Sequence, residues 1–241
     1  MNKSLNKLLS IIAASQDLPL SIIPEIVLFI CSNKTVLRFI TCDSLIKNQI
    51  EKFAIESDLH FLYDKIYVEE KGNTWATIHS KKTGKTLSIN YLITIGKLKN
   101  ETYMAHEFEI EGNTTEIGRL LGYPSCCVKA YDIISNFFER WPLYYLNTDG
   151  PGLHSNLANR LAIAWGGISP IGELYPCSLE CQNAKKLGQN FFRITKKLGL
   201  LRLHQELLFF SKNNVEISQE GVVSLVSKNV INDDNRIITF Q

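Results

Sequence analysis

Two proline–cysteine motifs constrain this chain more than anything else in it. The first runs Gly118-Arg119-Leu120-Leu121-Gly122-Tyr123-Pro124-Ser125-Cys126-Cys127-Val128-Lys129-Ala130-Tyr131, and the second Tyr175-Pro176-Cys177-Ser178-Leu179-Glu180-Cys181. In each, proline precedes cysteine and an amphipathic segment follows. Proline is tolerated at the first helical position, where the missing N–H has no intrahelical partner anyway. The pattern therefore predicts two helix starts with cysteine in the first turn, where free N–H groups and the positive helix end favour thiolate. Two such ends facing one another would make a site for a thiolate-bound metal.

Helical spacing extends from both motifs. After Pro124, Cys127, Tyr131, Ile134 and Phe138 share one arc, Cys126, Ala130, Ile133 and Phe137 the next, and Lys129, Asp132, Asn136 and Glu139 the polar side. Both cysteines point inward, in directions about 100° apart. In the second motif Cys177 and Cys181 are four apart and fall on one helix face. Leu187, Phe191, Ile194 and Leu198 continue as an apolar stripe. Ala184 and Gly188 at its edge leave room beside the cysteines.

Taken together, Gly-x-x-Leu-Gly-Tyr-Pro-x-Cys-Cys-Val and Pro-Cys-Ser-x-x-Cys resemble the family catalogued as domain of unknown function 483, over roughly residues 114 to 200. The resemblance implies a shared cysteine-lined site and brings no reaction or substrate with it. It also implies a histidine ahead of the Pro-Cys pair, a place held here by Leu174 and Tyr175.

Six cysteines in 241 residues are too few for a disulfide scaffold. With four of them in two motifs, they suit metal or redox chemistry in a reducing compartment. Cys31 and Cys42 stand in apolar surroundings and read as buried, inert thiols. A net charge of +2 selects no partner, and 45% hydrophobic residues are ample for a core. No run is apolar enough to span a membrane. Leu5, Leu8, Leu9 and Ile12 follow helical spacing, which favours an amphipathic helix over a signal peptide and a cytoplasmic location over secretion.

The expected fold is α+β. An antiparallel-rich sheet with helices occupies residues 1–98, and residues 99–241 form a helical region with the cysteine motifs and a short C-terminal β segment. In the first part, Pro24–Ile30 reads as a strand paired with Thr35–Thr41. Asp43 or Ser44 caps a helix to about Ser57 with Leu45, Ile46, Ile50 and Phe53 inward. Phe61–Glu69, Trp75–His79 and Leu87–Ile95 read as successive antiparallel strands joined by tight turns. No phosphate loop or dinucleotide fingerprint is present. Residues 99–117 read as a join, in which His106 lies beside Glu107 and Glu109. In the second part the turn Asn147-Thr148-Asp149-Gly150-Pro151-Gly152 aims His154 and a helix over 153–164 carrying Asn156, Asn159 and Arg160 on one face. Asn214–Ile217, Val222–Val226 and Arg236–Phe240 read as strands that complete a sheet, the N-terminal one being the nearest candidate.

Three chemistries fit the cysteines: an iron–sulfur cluster, a four-thiolate structural zinc, and a dithiol–disulfide or metal-free site. Neither motif has the Cys-x-x-Cys spacing of a zinc ribbon, and this favours the iron–sulfur cluster. The reading is then an enzyme whose cluster, held by Cys126, Cys127, Cys177 and Cys181, acts on a small anionic substrate. Arg160, Asn156, Asn159 and His154 would orient that substrate. The alternative is a zinc-stapled RNA- or protein-binding module without catalysis. Its binding face would be Lys185, Lys186, Arg193, Lys196 and Lys197, which fall within an arc of about 120° opposite the apolar stripe.

Overall fold

The computed structural model describes residues 3–14, 22–71, 74–78, 87–135, 141–155, 169–212, 214–219, 223–226 and 237–238. The fold is α+β, in two compact units: Met1–Pro19 with Leu28–Gly122, and Leu20–Val27 with Tyr123–Gln241. Among the described residues no helix is long and apolar enough to cross a membrane.

The first unit is a sheet of β1 (Val36–Thr41), β2 (His60–Lys71), β3 (Thr74–Ile78) and β4 (Leu87–Gly96), all antiparallel in the order β1-β4-β2-β3. It differs from a simple meander. β4 passes back across β2 to pair with β1, so Ile93 faces Phe39 on one side and Tyr63 on the other. Alternation along β2 sends Tyr63 and Asp64 to opposite faces. On one face, α3 (Ser44–Glu56) buries Ile46, Ile50 and Phe53, and its Lys47 ammonium lies 4.1 Å from the Tyr63 ring centroid. Asp43 caps α3 by accepting from the N–H groups of Leu45 and Ile46 at 2.7 and 3.3 Å. Leu45, one position ahead of the buried arc, is exposed rather than inward. Helix α1 (Lys3–Ala14) buries Leu5, Leu8 and Ile12 and packs on α3, with Lys7 paired to Glu56.

The segment expected as a strand at 24–30 is instead helix α2, Ile22–Cys31, so β1 has no partner across a local turn and pairs with β4. Pro24 sits in its first turn, where the missing N–H costs nothing. The run is buried on nearly every side, and such a run carries no periodicity to separate helix from strand. The expected join at 99–117 is also helical: α4 (Lys99–Glu111) and α5 (Thr114–Leu120). Thr102 of α4 lies so close to Gly96 that a Cβ there would overlap it. His106 is buried between the Thr94 hydroxyl, 3.0 Å from Nδ1, and the Asp64 carboxylate, 3.2 Å from Nε2. Thr94 is fully buried, so this trio pins α4 to the sheet and offers no accessible nucleophile.

The second unit holds α6 (Ser125–Ser135), α7 (Trp141–Asp149), β5 (Gly152–Ser155), α8 (Gln182–Lys197), α9 (Leu201–Lys212) and strands β6 (Asn214–Ile217), β7 (Val223–Val226) and β8 (Ile237–Ile238). The C-terminal strands form their own antiparallel sheet in the order β5-β6-β7-β8 and do not extend the N-terminal one. Its first strand occupies 152–155, where a helix was expected, and His154 sits opposite Val215. The remainder of that expected helix, with Asn156, Asn159 and Arg160, lies outside the described residues. Helix α9 packs on α8, where the buried Thr195 hydroxyl lies 3.1 Å from His204 Nδ1.

Candidate metal centre

Helix α6 starts at Ser125, one residue after the proline expected at its first position, and carries cysteine in its first turn as the sequence indicates. The Pro124 carbonyl accepts from the N–H groups of Cys127 and Val128 at 2.9 and 3.0 Å, which sets Cys126 and Cys127 in the first turn. The second motif does not start a helix at Pro176. Cys177 lies in a loop, a turn closed by the Cys181 N–H to the Ser178 carbonyl follows, and Cys181 is the N-cap of α8. The reason lies in what holds the loop. The hydroxyls of Tyr144 and Tyr145 in α7 donate to the carbonyls of Cys177 and Pro176, at 3.0 and 2.8 Å. The Asp149 carboxylate, at the end of α7, accepts from the Leu179 N–H at 2.9 Å and from the Ser178 hydroxyl. Backbone groups satisfied this way have no need of a helical turn. Cys177 and Cys181 therefore converge through a turn and not through a shared helix face.

A buried carboxylate orders the approach to both motifs. Glu25 accepts from the Tyr123 hydroxyl at 3.2 Å and from the Glu173 N–H at 3.1 Å. Gly172, at φ +61°, passes so close that any side chain there would strike the Glu25 carboxylate.

All four thiol sulfurs lie within 4.8 Å of one another. Cys126 and Cys127 are 3.9 Å apart, and each is 3.7 Å from Cys181. Cys127 and Cys181 are buried with Ile171, Leu174 and Ala184, while Cys126 and Cys177 are half-buried. The Asn183 amide, at the solvent side, donates to Cys126 Sγ at 3.6 Å. Burial opposes ionisation at Cys126, but that amide and the three neighbouring thiols outweigh it and hold its pKa below the ordinary thiol value. Burial pushes Cys177 up to about 12, helped by the Cys181 thiol, and burial raises Cys127 as well. Four thiolates this close repel one another unless a cation neutralises them, and thiolate is the form that binds metal. The group can hold a metal ion.

Of the other expected site residues, His154 is buried, its Nε2 3.2 Å from the Gly150 carbonyl and its Nδ1 3.9 Å from the Glu180 carboxylate. Glu180 is also paired with Lys185. Cys31 and Cys42 are not the buried thiols expected: Cys31 is half-buried and Cys42 exposed. The sequence reading missed Tyr144, Tyr145, Asp149, Asn183 and Glu25. Asp149 was legible only as a turn former, and the others carry no local signal.

No curated protein and no solved structure matches the chain. A family described as Protein of unknown function (DUF483) matches residues 101–208, a stretch that contains all four clustered cysteines and α8. Over residues 101–208, this chain is similar to the DUF483 family.

Proposed function

We infer that the protein binds one metal ion, zinc, in a closed four-thiolate site, and that the ion braces a binding module instead of performing catalysis. The observation that carries this is the sulfur spacing. A tetrahedron with metal–sulfur bonds of about 2.3 Å has edges of about 3.8 Å, and the separations among Cys126, Cys127 and Cys181 are 3.7, 3.7 and 3.9 Å. Cys177 supplies the fourth corner. A four-iron cluster carries one thiolate on each iron and spreads its sulfurs by the added iron–iron separation. Single-ion spacing is the better match. A four-thiolate ion has no open position for substrate, unlike catalytic zinc with three protein ligands and a water. The ion would tie the first turn of α6 to the N-cap of α8, with Cys177 closing the loop between them.

The test is metal analysis of protein purified with and without oxygen. The expected result is colourless protein with one zinc per chain, which exchanges for cobalt to give the absorption of a tetrahedral thiolate complex. Brown protein containing iron and labile sulfide would overturn the zinc reading in favour of the iron–sulfur one.

A further inference from the structure

The outer face of α8 is chemically one-sided. Gln182–Lys197 contains five basic residues, Lys185, Lys186, Arg193, Lys196 and Lys197, and no acidic one. A helix face that serves only to stay solvated interleaves both signs. Lys185 is half-buried and engaged with Glu180. Lys186, Arg193, Lys196 and Lys197 are exposed, and among the described residues none is in an ion pair; Arg193 makes one hydrogen bond, to the Asn190 side chain at 3.5 Å. Three of them are in line. At about 100° and 1.5 Å per residue, Lys186, Arg193 and Lys197 fall within about 40° of one another along some 16 Å of axis, with Lys196 about 60° to one side of Arg193. Side-chain amides flank the row: Gln182, Asn183, Gln189 and Asn190.

The opposite face is spent. Ala184, Gly188, Phe191 and Thr195 are buried, so α8 has no free apolar stripe with which to enter a lipid surface. A row of unpaired cations with no apolar centre matches a partner whose charges are closely and regularly spaced. The interleaved amides can both donate to and accept from hydroxyls, which the ribose 2′-OH supplies and deoxyribose does not. We propose that the exposed face of α8 binds RNA, with Lys186, Arg193, Lys196 and Lys197 on backbone phosphates and the amides beside them on ribose. The helix is held from behind by its buried face and at its N-cap by Cys181, so the row is presented already ordered. This inference rests on the charge and exposure of α8 and stands whichever metal the thiols hold.

The experiment is a titration of the full-length, metal-loaded protein with a fluorescent single-stranded RNA, a hairpin RNA and a DNA of the same sequence as the single strand, at several salt concentrations. Four phosphate contacts give a log–log salt slope of about −3 and an affinity loss of about 50- to 150-fold between 50 and 200 mM salt. Lys186→Gln and Arg193→Gln should each reduce the slope by about one contact, and the Lys186→Glu/Arg193→Glu/Lys197→Glu variant should bind no RNA at low salt while keeping its metal and circular dichroism spectrum. Gln189→Ala with Asn190→Ala should narrow the difference between RNA and DNA without changing the slope. Absence of RNA binding at low salt, equal binding of DNA, or a triple variant that binds like the wild type would each overturn the proposal. If the triple variant loses its fold, the two single neutralisations decide: unchanged slopes in both reject it.

Discussion

At the scale of single residues, the four thiols are unequal, and their inequality predicts how the centre fails. Cys127 and Cys181 are buried, so serine at either leaves an ill-matched oxygen against the remaining sulfurs and should empty the site in metal analysis. Cys31→Ser and Cys42→Ser should leave metal content unchanged; equal loss in all these variants would mean the cysteine cluster is not the binding site. The pH behaviour has two opposite arms. In protein loaded with a metal ion, acid competes for the thiolates, so the ion should be released as pH falls, its release read by a chromogenic chelator. In chelated protein, Cys127 and Cys177 keep their protons in the folded state at a pH where unfolded thiols have lost theirs. Raised folded pKa values stabilise the fold below the ordinary thiol value of 9.0, and that contribution drains away as pH rises from there towards about 12. Melting of the metal-free protein across that window checks the sign. That these residues form a group was legible in the sequence, because proline just ahead of cysteine recurs. Their unequal burial was not, since Ile171 and Leu174, which cover Cys127 and Cys181, lie on a loop with no periodicity.

At the scale of elements, the cysteine cluster depends on the end of α7. Asp149 holds the Leu179 N–H and the Ser178 hydroxyl, and thereby the turn that carries Cys177 to Cys181. Asp149→Ala removes a group that orients ligands without touching the ion, and such losses weaken metal binding by about 10- to 100-fold. A competition titration against a chelator of known affinity measures it; an unaltered affinity would show that the turn holds itself. In the first unit, Asp43→Ala should cost about 1 kcal/mol of stability, since it strips the cap from α3 and leaves the first-turn N–H groups to water. Elements fixed by neighbours in sequence were readable: the Asp43 cap, the buried arc of α1, the three strands between 60 and 96. Elements decided by distant partners were not. The second cysteine motif has the spacing of a helix start, yet Tyr144, Tyr145 and Asp149, some thirty residues upstream, satisfy its backbone in another way. Strands 214–217 and 223–226 were legible as strands, but nothing local in them names β5 as a partner.

At the scale of the whole molecule, the thiol centre belongs to one of two compact units, and its removal should be felt there. Chelation should raise amide exchange in α6 and α8 while leaving β1, β2 and β4 protected, because the core under that sheet, built on Ile50, Phe53, Ile93 and Ile95, contains none of the clustered cysteines. A uniform rise in both units would indicate a single cooperative transition. The α+β class was legible from the run of strands followed by the run of helices. The division of α2 between the units was not, because its apolar residues look alike from either side. That division bears on how the chain is made. The ribosome delivers Glu25 early, yet its partners Tyr123 and Glu173 emerge 98 and 148 residues later. The unit with the cysteine cluster therefore cannot close in the order in which it is translated, and a gene fragment beginning at residue 123 would encode the cysteines without the carboxylate that gathers the segments of chain leading to them.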